Sequence, residues 1–145
     1  MADLTVNDIL DAAGLSPEDP RLELGDIYFI LQDKRMTYTV QILGNVLFVN
    51  ARRPLTKAPN YQLLNTLNNH INLGTHKIDG NTYSFEFVTR INGLTKDSGE
   101  LRIYIEYIRR QASQGFEIMN TSSEKKRSLL LEAHAHNRDA EQQNK

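Results

Sequence analysis

The chain contains no cysteine and no tryptophan. Without cysteine there is no disulfide, no thiolate nucleophile and no cysteine-ligated zinc or iron–sulfur site. Small secreted domains usually lean on disulfides, so this absence favours a reducing compartment. The opening stretch, Met1 to Thr5, has no basic segment followed by an apolar run, the pattern of a secretory leader. No apolar run approaches the ~20 residues that a membrane-spanning helix needs. The expectation is a soluble, cytoplasmic protein. Its 145 residues and 39% hydrophobic content suit one globular domain that needs no staple.

A more local absence is the most informative. Ala58 to His76 contains no Asp, Glu, Lys or Arg, although 24% of the whole chain is charged. Charge is also segregated. Residues 1–33 carry a net −7, with Arg21 the single base, and residues 34–72 carry a net +5 with no acid. The plainer expectation is that these two blocks lie close in space and balance. The sharper one is a two-signed surface that favours association.

Thr5 is placed to cap a first helix, with Asp8 three residues on and Gly14 as its stop. A meander follows: Ile27–Leu31, Met36–Ile42 and a strand from Val46 that runs into Arg53 and ends at Pro54. Clean alternation in the second of these predicts a sheet with one wet face. The uncharged segment reads as a helix from Asn60 to Leu73. Leu63, Leu64, Leu67 and Ile71 form its apolar stripe, and Gln62, Asn65, Thr66, Asn69 and Asn72 its polar one. Asn costs a helix up to ~0.7 kcal/mol relative to Ala, so packing must hold this element.

Asp79-Gly80-Asn81 predicts a hairpin into Thr82–Ile91, with Tyr83, Phe85 and Phe87 sharing a face. Thr95 or Ser98 can cap a last helix with the stripe Leu101, Tyr104, Ile105, Ile108 and Ala112, ending at Gln114-Gly115. The segment 101–108 also alternates as a strand would; its length favours the helix. Two regions are expected, an α+β domain over 1–119 and a polar tail over 120–145 that is partly helical or disordered. The fold class expected is α+β, an antiparallel sheet of about five strands with helices on one face, in the order α-βββ-α-ββ-α.

This order, with Leu4 to Leu10, Phe48 to Pro54, Leu63 to Asn69 and Asn92 to Thr95 in sequence, resembles the YbjN-like family of bacterial "sensory transduction regulators". The resemblance covers roughly residues 4–115. It implies a fold like that of type III secretion chaperones, which bind unfolded segments of other proteins and often dimerise through the second helix. It implies no reaction and no catalytic residue.

No nucleophile, phosphate-cradling or metal-binding motif is present. His134 and His136 are a close pair, but one residue apart on a helix they point in different directions and lack a third ligand. His70 and His76 have no Ser or Cys beside them in a nucleophile motif. The basic stretch Arg52, Arg53 and Lys57 could meet an anion or nucleic acid; the plainer reading is a solvated turn. For the uncharged helix the plainer reading is amides facing water or bonding to nearby loops. The functional reading is an interface through Tyr61, Gln62, Asn65, Asn69 and Asn72, because neutral amides are cheaper to desolvate than charges and still pair across a contact.

The reading that follows is a non-enzymatic, homodimeric adaptor or chaperone-like regulator, with no cofactor and no metal. Its partner would be an unidentified protein or peptide segment meeting the wet sheet face or a strand edge. The alternative is a small-ligand or nucleic-acid-binding module that uses Arg52, Arg53 and Lys57.

Overall fold

The structure is a computed structural model. It describes residues 4–69, 71, 73–95, 99–121 and 124–143, with side chains of the final helix described as far as His134. His70, Asn72 and Ser98, and the side chain of His136, lie outside the described residues.

The elements run α1 (Val6–Ala12), β1 (Leu22–Leu24), β2 (Tyr28–Asp33), β3 (Met36–Leu43), β4 (Val46–Pro54), α2 (Tyr61–Asn69), β5 (Thr75–Asp79), β6 (Thr82–Arg90), α3 (Gly99–Asn120) and α4 (Glu124–Gln143). The six strands form one antiparallel sheet in the order β1-β2-β3-β4-β6-β5. The short β1 pairs Leu22 with Leu31 and makes the meander four strands long rather than three. It was not expected because three residues are too few to show a period.

Local chemistry explains the termini of α1. Thr5 and Asp8 form a reciprocal cap: the Asp8 amide donates to Thr5 Oγ1 at 3.2 Å and the Thr5 amide to Asp8 Oδ2 at 3.0 Å. At the other end Gly14 takes φ 74°, Leu15 N–H donates to the Leu10 carbonyl and Gly14 N–H to that of Asp11. This paired closure satisfies carbonyls that the helix would leave open. The β2–β3 turn is tighter than its residues prefer. Lys34 and Arg35 both adopt positive φ, 52° and 74°, as a two-residue hairpin of this twist requires.

The core lies between the sheet and α1 and α3. From the sheet come Phe29, Leu31, Val40, Leu47, Val49, Tyr83, Phe85 and Phe87; from the helices Ile9, Leu10, Leu101, Ile108, Ala112 and Phe116. Residues 101–108 are helical, so Ile103, on the strand-like alternation, points to solvent. Helix α3 does not stop at Gly115. It continues to Asn120, and Gly115 is buried within it because no side chain fits there: a Cβ would lie 2.7 Å from the His76 ring and closer still to the Tyr83 hydroxyl. The expected stop signal is instead a close approach between helix and sheet.

The region over 120–145 is largely helix, and it packs back on the domain. Leu130 and Leu131 are partly buried and His134 is fully buried. Among the described residues no helix is long and apolar enough to cross a membrane.

Candidate functional site

Three regions hold the residues that sequence singles out. The first is α2. Leu63 and Leu67 are buried, one turn apart, and Leu64 is half-buried. Asn60 caps the helix, its Oδ1 accepting from the Leu63 amide at 3.0 Å. Thr66 bonds back to the Gln62 carbonyl at 3.1 Å. Helix α2 ends at Asn69, so Ile71, expected on its stripe, and Leu73, its expected last residue, both lie beyond it. Tyr61, Gln62, Asn65 and Asn69 are all exposed on it, and Tyr61 is 61% exposed despite its size.

Asn68 performs a role that periodicity did not reveal. Its Nδ2 donates to the His76 carbonyl at 2.9 Å and its Oδ1 accepts from the His76 amide at 2.8 Å. One side-chain amide thus stands in for a neighbouring strand on β5, which is an edge of the sheet. Open edges invite pairing with other chains, and covering them is a common protection. The only sequence signal was an amide at the flank of a leucine stripe. Asn68→Ala should lower stability by about 2 kcal/mol, since it strands a donor and an acceptor of a half-buried backbone. Urea unfolding would read the loss, and hydrogen exchange should show the His76 amide opening ahead of β6.

The second region is a buried polar cluster spanning β5, β6, α3 and α4. The Tyr83 hydroxyl lies 2.6 Å from His76 Nδ1, and Gln111 Oε1 lies 3.3 Å from His76 Nε2. A carbonyl oxygen can only accept, so the proton sits on Nε2, and Tyr83 donates to Nδ1. The His134 ring meets His76 edge-on, with centroids 5.7 Å apart, and Phe85 packs against His76 at 4.9 Å. Burial, then the neighbouring His134, pushes the His76 pKa down to about 3. Burial also drives the Tyr83 phenol well above its ordinary value. His76 and Tyr83 are therefore both neutral at pH 7. Sequence reasoning placed His134 in a polar tail; the fold places it against the sheet, a contact 58 residues away in sequence that no local pattern encodes.

The third region is the basic stretch. Arg52 and Arg53 are adjacent in strand β4, not in a turn, so they project from opposite faces of the sheet. The Arg52 Nη1 donates to Thr39 Oγ1 at 3.1 Å on the uncovered face. Arg53 lies on the helix-covered face with its guanidinium 4.0 Å from the centroid of the Phe116 ring. Lys57 is exposed in the following loop. The strand does not bring the three cations together. The acidic and basic blocks do lie side by side, since β2 of the first pairs directly with β3 of the second, but among the described residues the ion pairs of Arg21, with Asp19 and with Asp33, are internal to the acidic block.

The uncovered sheet face has an apolar centre. Phe48 on β4 is 38% exposed and stands opposite Val88 on β6, 57% exposed, with half-buried Tyr28 two strands away in the same row. Around it lie Asn50, Arg52, Ser84 and Glu86, the last paired with Lys77 at 2.7 Å. Among the described residues no cluster of three or more His, Asp or Glu could hold a metal ion.

Among the described residues, six antiparallel strands with four helices, ordered α-ββββ-α-ββ-αα, make this an α+β protein with an uncharged helix beside one sheet edge. The fold is that of YbjN. The crystal structure of YbjN from E. coli, described as "a putative transcription regulator", superposes with a TM-score of 0.55 over 91% of this chain and 90% of that one, at 13% sequence identity. No protein-family model and no curated protein matches the sequence.

Proposed function

We propose that this protein is a non-enzymatic regulator that acts through protein contacts as a homodimer, with α2 as its self-contact. One observation carries the reading. Asn60, Thr66 and Asn68 each have a hydrogen-bonding role within the fold, whereas Tyr61, Gln62 and Asn65 project outward from an uncharged helix. An exposed Tyr flanked by neutral amides has the composition of an interface centre, where charges are depleted and aromatics enriched. The YbjN fold supports a regulatory role, and the apolar centre of the uncovered sheet face, Phe48 and Val88, supports a second contact for a partner protein or peptide.

Light scattering on the eluting protein tests the self-contact. The expected mass at micromolar concentration is twice the 16.6 kDa of the chain. Asn65→Lys with Asn69→Glu should return it to a monomer without changing the far-ultraviolet circular dichroism. A monomeric parent protein, or a double variant that remains dimeric, sinks the proposal.

A further inference from the structure

A cleft opens where α1 and α3 cover strands β2 to β4. It is lined by Ile9, Val40, Leu47, Leu101 and Ile108, and it encloses about 50 Å³. Its lining is almost wholly apolar inside, while Tyr38 and Arg109 also contribute to its wall. Protein interiors pack to crystal density, so an apolar void that reaches the surface beside a cation is not the expected result of core packing alone.

We propose that this cleft binds a small aliphatic carboxylate, with its tail among the apolar residues and its carboxylate on Arg109 and the Tyr38 hydroxyl. Arg109 spends one Nη2 on the Ala13 carbonyl at a long 3.4 Å. A guanidinium carries five N–H donors in a fork that matches a carboxylate. Burial, and then the charge of Asp33, hold the Tyr38 phenol above its ordinary pKa, so it stays a neutral donor. Asp33 itself is engaged by Arg21 at 3.1 Å, which limits its repulsion of an incoming anion. Size selects the tail. An apolar cavity of ~150 Å³ accepts benzene, so a third of that volume takes an aliphatic end of about three carbons rather than a ring.

This site is separate from α2 and independent of the homodimer reading. Isocaproate, with an isopropyl end, is the probe, titrated into isotopically labelled full-length protein and followed by amide NMR shifts. Saturable shifts at Ala13, Leu15 and Ile105 are expected with a dissociation constant on the order of 1 mM for so few atoms. Isocaproamide, which lacks the charge, and acetate, which lacks the tail, should each bind at least about tenfold more weakly. Arg109→Gln should weaken isocaproate by a similar factor. Ala13→Leu, which fills the mouth, should abolish the shifts while circular dichroism is unchanged. Equal shifts with acetate overturn the tail assignment, equal affinity for the amide overturns the Arg109 assignment, and shifts that never saturate overturn the site. The three probes need only the unaltered protein, so a variant that fails to fold does not shelter the proposal.

Discussion

Lowering the pH from neutral to about 4.5 should destabilise the fold by about 3 kcal/mol, and His76 should account for most of it. In the folded chain its pKa is near 3; in the unfolded chain it returns to the ordinary value of 6.5. A depressed folded pKa means that the unfolded chain takes up the proton first. The contribution of His76 is therefore complete above pH 6.5, declines by about 1.4 kcal/mol per pH unit below it, and is exhausted near pH 3. The cause is physical. The groups packed on the ring are the Tyr83 phenol, the Gln111 amide, Phe85 and a second imidazole, and none supplies a negative charge to hold an imidazolium. Urea unfolding at a series of pH values measures the slope. His76→Phe keeps an aromatic ring and removes the titration. The variant should be weaker at pH 7, because the Tyr83 hydroxyl exchanges its 2.6 Å acceptor for the Gln111 carbonyl at a long 3.4 Å, yet nearly flat between pH 6.5 and 4.5. An unchanged slope would assign the acid sensitivity elsewhere.

Gly115→Ala should also cost about 3 kcal/mol, the opposite of what helix propensity alone gives. In an exposed helix interior this change stabilises by about 1 kcal/mol. Here the added methyl enters the space held by the Tyr83 hydroxyl and the His76 ring, both fully buried and bonded to one another. Neither can withdraw without breaking the 2.6 Å contact, so α3 must lift from the sheet. A double-mutant cycle with Tyr83→Phe isolates the clash. Removing the hydroxyl makes room, so the pair should be more stable than the sum of the two single effects by 1 kcal/mol or more, roughly. Additive effects would mean that Gly115 matters through some other contact.

Much of this architecture was legible without coordinates. The cap at Thr5, the stop at Gly14, the alternation of β3 and the Asp79-Gly80 hairpin are local: each depends on residues within a turn or two, so sequence spacing carries them. The expected order α-βββ-α-ββ-α followed from adding these up; the structure adds β1 to the meander and a final long helix, and the YbjN comparison shows the fold. Misread features share a different property. Strand β1 is too short to show a period, and Gly115 carries a signal that stop and close approach have in common. Arg52 and Arg53 looked like one basic site because adjacency in sequence is closeness in a turn. In a strand the same adjacency is separation by the thickness of the sheet.

The uncharged stretch shows the same division. Sequence alone determined that residues 58–76 would hold a helix with a leucine stripe and a neutral polar face, because composition and a 3.6-residue period are one-dimensional properties. Only the tertiary structure decided what each amide does. Asn60 closes a helix end, Asn68 replaces a missing strand at the β5 edge, and Tyr61, Gln62 and Asn65 face outward. Hydrogen-bond partners such as His76, and the burial of His134 against it, depend on which distant segments meet. That meeting is set by the packing of the whole core, and no window of sequence contains it.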